Sequence, residues 1–380
     1  LDDVSAFMVP MVFYMSYFFL ALPSAMILRR TGMKKGMTLG LFIMALGAIV
    51  FGQMATTRIF SGALSGLFII GGGLAILQTA ANPYVSILGP IESAAQRIAV
   101  MGIFNKLAGI LAPVVIGTLV LHGVGALDVQ VKAAANHAER EALLDAFAAN
   151  IHTPYMIMAG LLALLGLVVL RSPLPDIRPE PSPRAQSGGD RGLLAFPHLW
   201  LGALCLFLYV GVEVMAGDAI GSYGHSFGLP LEETAFYTSF TLAAMLLGYL
   251  AGLVLIPRFI SQERYLAISA VMGVVLVIGA YMTTGYISVA CVAALGFANA
   301  MMWPAIFPLA IRDLGRFTET GSAILIMAIC GGAILPQIFA HMKDYFDFQL
   351  VFLLIMVPAY CYIFFFGIWG SRVNQAEAAE

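Results

Sequence analysis

Charge is scarce in this sequence: Asp, Glu, Lys and Arg make up only 11% of 380 residues, against 61% apolar side chains. A water-solvated surface needs roughly 25% charged residues, so a soluble globular protein is excluded. The net charge is −2, with no basic block and no arginine–aromatic interleaving, which excludes nucleic acid as a partner. Cysteine is nearly absent as well. Cys205, Cys291, Cys330 and Cys361 lie singly in apolar stretches, so they form neither a disulfide framework nor a metal knuckle and are expected as small packed hydrophobes. The six histidines are not clustered, and HExxH does not occur. The one Asp-Asp pair, Asp2-Asp3, opens the chain without a partner motif. An enzyme is therefore not expected, nor a resident metal or organic cofactor.

What is present is long apolar sequence, with a mean hydropathy of +0.92. Runs broken by Pro, Gly and charge place spans at 6–28, 36–54, 59–88, 99–122, 153–171, 197–220, 234–257, 264–284, 286–311, 319–340 and 349–370. Each approaches the roughly 20 residues that cross a hydrocarbon core, and none shows the short alternation of about 10 residues of a barrel strand, so all are helices. Eleven spans make an all-α polytopic membrane protein of the lipid bilayer.

Lys and Arg are retained in cytoplasmic loops. Fourteen of the nineteen fall in the alternate loops that include the chain's end, four in the opposite loops, and Lys106 lies inside a span. The C-terminus is thus expected in the cytoplasm and the protein in the cell (inner) membrane. Eleven crossings then put Leu1 outside. Because the chain opens LDDVSAF, with neither initiator Met nor signal segment, one further span is expected ahead of it and absent from this chain. Residues 172–196 are Pro-, Ser- and Gly-rich and form a cytoplasmic linker. Residues 123–152 are external and Ala-rich, with a short surface helix expected over 131–149 and His137 on its solvated face.

A repeat runs across the linker. LALPSAMILRRTGMKKG (20–36) answers GYLAGLVLIPRFISQERY (248–265), LQTAANPYVSILG (77–89) answers ANAMMWPAIFPLAI (298–311), and AGILAP (108–113) answers GGAILP (331–336). The organisation is an N-terminal half-bundle over 1–171, the linker 172–196, a C-terminal half-bundle over 197–371 and a cytoplasmic tail over 372–380. Two homologous halves joined by a cytoplasmic linker are the build of an alternating-access transporter.

Ionisable groups inside spans are costly and mark function by default. Three qualify: Lys106, Glu213 and Asp218, the last close enough to a span end to reach interfacial water. Gln78 and Asn82, Tyr209 and Glu213, and Asn299 and Trp303 are each i,i+4 pairs, placing two hydrogen-bonding groups on one helix face. With Pro83 aligned on Pro304, Gln78 falls on Asn299 and Asn82 on Trp303. Amides that both donate and accept, with a flat aromatic, suit a small neutral polyhydroxylated ligand. Buried amides also serve as glue between membrane helices, and Lys106 could simply neutralise a carboxylate. Tyr14 and Tyr17 serve packing or sugar stacking equally well. Gly71-Gly72-Gly73 lies inside a span and permits close helix approach.

LRRTGMKKG resembles the loop between the second and third spans of the major facilitator superfamily. QTAANPYVSILGP (78–90), MGIFNKLAGILAP (101–113), HTPYMI (152–157), SPLPDI (172–177) and YVGVEVMAGD (209–218) together resemble its fucose–galactose–glucose branch of sugar–cation symporters. The Asn-Lys and VGVEV motifs are more similar to the bacterial glucose/galactose and N-acetylglucosamine permeases than to the fucose permease. This resemblance implies the major facilitator fold, two pseudo-symmetric six-helix halves, with import of a hexose coupled to co-transported H+ or Na+. It implies gating loops at Arg29, Arg30, Lys34, Lys35, Arg258 and Arg264, and a sugar contact at Asn105. Gln78 stands where the fucose permease has Glu, so that position carries a sugar-binding amide and no titrating role. The expected substrate site is Gln78, Asn82, Asn105, Tyr209, Asn299 and Trp303; the expected coupling groups are Glu213, Lys106 and Asp218; the protein is expected as a monomer. A multidrug or lipophile exporter of the same fold and a transport-dead sugar sensor are the alternatives.

Overall fold

The computed structural model describes residues 3–119, 134, 136–175, 192–230 and 236–373. Asp2, the linker arginines Arg178, Arg184 and Arg191, and the tail beyond Val373 lie outside them. Among the described residues every regular element is helical. The helices are α1 (Asp3–Thr31), α2 (Met33–Thr56), α3 (Phe60–Ile87), α4 (Ala94–Leu119), α5 (His137–Arg171), α6 (Pro197–Gly217), α7 (Ile220–His225), α8 (Tyr237–Leu255), α9 (Gln262–Met282), α10 (Gly285–Asn299), α11 (Met302–Ile311), α12 (Thr318–Met327), α13 (Gly331–Met342) and α14 (Phe348–Ile368). Ten spans among the described residues are long and apolar enough to cross a membrane. They coincide with ten of the eleven expected from the sequence, and the eleventh, 99–122, falls on α4.

Local chemistry explains the boundaries. Gly32, at φ 78°, ends α1 and lets the chain enter α2 at once, a backbone conformation in which a side chain is strained. Asn136 accepts from the Glu139 N–H at 2.8 Å and Asp347 from the Leu350 N–H at 2.8 Å, capping α5 and α14. Two spans are each split in two. Pro304 has no N–H to give Ala300, and the chain breaks at Ala300–Met301 between α10 and α11. A 3-10 turn, Ala328–Cys330, separates α12 from α13. The surface helix expected over 131–149 is not separate: from His137 it continues through Pro154 into the span as one 35-residue helix. Its polar first turns are held by Arg58, which pairs with Glu141 and with Asp145.

The chain forms two compact units, Leu1–Ala80 with Gly109–Ile177, and Ala81–Ala108 with Arg178–Glu380. In the first, Ala45 and Ala48 of α2 pack against Ala159 of α5, and Phe51 stacks on Tyr155 with ring centroids 4.3 Å apart. Gly40 and Gly73 pack α2 on α3 so closely that a Cβ on either would lie within 2.7 Å of the other's carbonyl oxygen. In the second, α6 is deeply enclosed, with Leu199, Cys205, Leu206, Tyr209, Val212 and Met215 completely buried. Ala95 and Ala99 of α4 pack with Met245 and Tyr249 of α8, Tyr265 of α9, and Met301. Large apolar side chains such as Phe19, Leu247 and Val275 point outward at 60–62% exposure, as a hydrocarbon surrounding requires. Cys361, expected as a packed hydrophobe, is also exposed, on the outer face of α14.

Candidate functional site

Inside the second unit, polar side chains from four helices converge around Glu213. The carboxylate projects from near the end of α6, one turn before Gly217, and the Lys106 ammonium of α4 donates to its Oε1 at 2.7 Å. Their side chains retain only 20% and 15% exposure, so the pair is largely withdrawn from its surroundings. Tyr209, one turn earlier on α6 and wholly buried, directs its hydroxyl at the same carboxylate. Tyr249 of α8 and Tyr360 of α14 lie within electrostatic reach of it. Glycine makes room for one of them: a Cβ on Gly102 of α4 would lie 2.5 Å from the Tyr249 ring. Asp218 caps the end of α6 and is exposed, without an ion-pair partner among the described residues.

A second, neutral cluster adjoins the first through Tyr209. The Tyr209 ring lies 6.5 Å from that of Trp303, which stacks on Phe307 at 5.9 Å. The Trp303 indole N–H donates to Asn82 Oδ1 at 3.3 Å. Asn299, 1% exposed, accepts from the Tyr360 hydroxyl at 2.8 Å, while its own Nδ2 is buried with no hydrogen-bond partner among the described residues. Asn299 and Trp303 therefore do not act as a side-by-side pair. The break at Ala300–Met301 lies between them, and they reach different partners. Asn105, next to Lys106, is exposed. Gln78 belongs to the first unit, where its amide donates to the Tyr17 hydroxyl at 3.3 Å, with Tyr17 itself buried.

Tyr249 and Tyr360 are the groups that sequence reading missed. Tyrosines in apolar spans are indistinguishable from packing until the fold aims them, and Gly102 opposite Tyr249 is the only sequence signal.

The basic turns hold their helices by hydrogen bonds to carbonyls. Arg97 donates to the carbonyls of Val85 (2.9 Å), Ser86 (2.6 Å), Gly89 (3.2 Å) and Pro90 (3.0 Å), closing the end of α3. Lys34 donates to the Ser172 carbonyl at 2.7 Å. Arg258 lies over the Phe259 ring, and Arg29, Arg30, Lys35 and Arg264 are exposed. In the second unit Gln96 donates to the Leu253 carbonyl (2.8 Å) and Gln262 to that of Ile91 (3.3 Å). Beside them Arg312 pairs with Glu263 at 2.9 Å, and the Arg312 carbonyl accepts from His198.

Apolar helices with a lipid-facing exterior, and a withdrawn lysine–glutamate pair among tyrosines and amides, define a polytopic membrane protein of the carrier type. The Major Facilitator Superfamily family model matches residues 3–336, and the chain belongs to that superfamily. It is 32% identical over 375 residues to the glucose/galactose transporter of Brucella abortus biovar 1 (strain 9-941), covering 98% of this chain and 87% of the relative. It is 27% identical to the L-fucose-proton symporter of Escherichia coli (strain K12), with 98% and 86% coverage. The crystal structure of the superfamily transporter FucP in the outward conformation superposes with a TM-score of 0.86 at 27% identity, covering 97% of this chain and 91% of that one.

Proposed function

We propose that the protein imports a hexose, glucose/galactose or N-acetylglucosamine, across the cell membrane by cation symport through alternating access, as a monomer with its C-terminus in the cytoplasm. The observation that carries this reading is the Lys106–Glu213 pair, 2.7 Å apart and mostly buried, beside an amide–indole cluster. The relatives' names support a hexose and, for one of them, a proton. Sugar hydroxyls both donate and accept, which matches Asn82, Asn299, Tyr209 and the indole of Trp303. The buried Nδ2 of Asn299 lacks an acceptor, at a cost of about 1–3 kcal/mol that a hydroxyl oxygen would offset. Asn105 is accessible to a ligand in this structure. Gln78, one turn before Asn82 on α3, is assigned to the same ligand by that spacing.

Coupling follows from which half each partner comes from. Lys106 and Asn82 belong to the N-terminal half of the sequence repeat; Glu213 and Trp303 belong to the C-terminal half. Rocking of the halves would separate both pairs. A carboxylate that loses a neighbouring ammonium in a dry site binds a proton more readily, so proton binding would take the place of the ion pair. Asp218, at the accessible end of α6, would receive the cation first. The ties of Gln96 and Gln262, close to the basic turns at Arg258 and Arg264, would then be the contacts broken as the cytoplasmic end opens.

Uptake and counterflow in proteoliposomes test this. Labelled glucose, galactose and N-acetylglucosamine are offered with and without a proton gradient and with and without sodium. Counterflow of at least one sugar, inhibited by unlabelled hexoses and not by hydrophobic cations, is expected. Absence of any hexose exchange, or competition by hydrophobic cations alone, refutes the assignment.

A further inference from the structure

On the outer face of the second unit a groove of about 520 Å3 runs between the first turns of α9 and the last turns of α14. Its walls are Ala267, Ile268, Val271, Phe364 and Ile368, all apolar, and its one charged member is Arg264 at the basic end. Nothing in the proposed transport cycle uses the apolar walls.

The Arg264 guanidinium is exposed and has no acidic or hydrogen-bonding partner among the described residues. Its neighbour Glu263 does not neutralise it, because that carboxylate is committed to Arg312 at 2.9 Å. Trp369, 58% exposed, stands beside Phe364 with ring centroids 6.3 Å apart, an aromatic of the kind that settles at headgroup depth. A free cation at one end of an apolar channel, flanked by an interfacial tryptophan, has the amphiphilic polarity of a phospholipid. We propose that this groove is a site for one anionic phospholipid of the surrounding bilayer, its phosphate on Arg264 and one acyl chain along Ile268, Val271 and Phe364. A second copy of the chain is the poorer occupant. The groove is lined by seven residues, against roughly 20–30 a side in a stable protein interface, and its charge asks for an anion.

Native mass spectrometry of the whole chain released from detergent tests the site, with phosphatidylglycerol or phosphatidylcholine of identical acyl chains added in turn. The variants are Arg264→Gln and Ile268→Trp; both positions are exposed, so neither change disturbs the core. Wild type should retain phosphatidylglycerol about fivefold more than phosphatidylcholine, the effect of one juxtamembrane cation. Arg264→Gln should bring the two lipids level, and Ile268→Trp, by filling the groove, should lower retention of both. Equal retention of the two lipids by wild type overturns the proposal. So does undiminished phosphatidylglycerol on Arg264→Gln, or a dimer that Ile268→Trp dissociates.

Discussion

Replacing Glu213 by Gln and Lys106 by Met, singly and together, tests the site at its most demanding point. At 2.7 Å the two charges attract by about 6 kcal/mol with an effective dielectric constant near 20. Withdrawing each ion from water costs several kcal/mol, so the intact pair contributes little net stability. Removing one partner is different, because it strands a charge whose side chain is only 15–20% exposed. Each single variant should therefore lose about 3–5 kcal/mol, whereas the double variant, with no charge left to strand, should lose much less. Thermal unfolding in detergent, followed by tryptophan fluorescence, reads the stability arm. The transport arm uses the double variant, which remains folded: it should exchange labelled hexose by counterflow yet fail to concentrate it against a proton or sodium gradient. Two results would refute the reasoning. If the singles unfold at the wild-type temperature, the pair is not withdrawn in the way the geometry indicates. If the double variant still accumulates hexose with wild-type pH dependence, Glu213 is not the coupling group.

Arg97→Ala should destabilise the protein by about 2–3 kcal/mol in thermal unfolding, since four carbonyls at the end of α3 lose a charged donor; Arg97→Lys should not restore it, because an ammonium cannot span the set. Gln96→Ala combined with Gln262→Ala removes both carbonyl ties near the start of α4, and should raise several-fold the maleimide reactivity of a cysteine placed at buried Ala95; unchanged labelling would show that these bonds do not hold that end closed. The Arg58 guanidinium holds the Glu141 carboxyl below the usual carboxylate range. With its pKa lower folded than unfolded, Glu141 contributes stability above about pH 4 that is lost as pH falls through the folded value. Hydrogen-exchange protection in the first turns of α5, taken relative to the intrinsic rate at each pH, should accordingly fall in that acid window, and Arg58→Ala should abolish that loss.

The spans were legible in the sequence because membrane helices are written in run length and charge, and both survive without tertiary context. The subdivisions were not. Pro304 marks the α10–α11 break only once the neighbouring packing is known, since Pro83 sits inside α3 without interrupting it. Asn150, Ile151 and His152, between the expected surface helix and the expected span, hid the continuity of α5, because periodicity ends where the bilayer does. In the site, Lys106 and Glu213 stood out as ionisable groups in apolar runs, and the fold brings them together. Tyr249 and Tyr360 did not stand out, because a tyrosine spans both classes: its ring belongs in an apolar helix whether or not its hydroxyl has work there. Asn299 and Trp303 reach different partners although four residues apart, because i,i+4 spacing implies a shared face only along an unbroken helix.

The two polar clusters share one side chain, and on the proposed function that sharing bears on coupling. Tyr209 faces Glu213 through its hydroxyl and Trp303 through its ring. Lys106–Glu213 and Asn82–Trp303 each join the two halves of the sequence repeat, so separating the halves breaks both contacts. A sugar can take over the hydrogen bonds of Asn82 and Trp303 but cannot neutralise Glu213. A proton can neutralise Glu213 but leaves the amide and indole without partners. Either ligand alone therefore leaves buried polar groups uncompensated in the separated state, at a few kcal/mol for a neutral group and more for a charge. Sugar and cation together remove the penalties at Glu213 and at the Asn82–Trp303 contact, and a ligand shifts an access equilibrium only by its differential affinity for the two states. Coupling on this scheme needs no pathway between distant sites; it follows from two adjacent contacts that one movement must break at the same time.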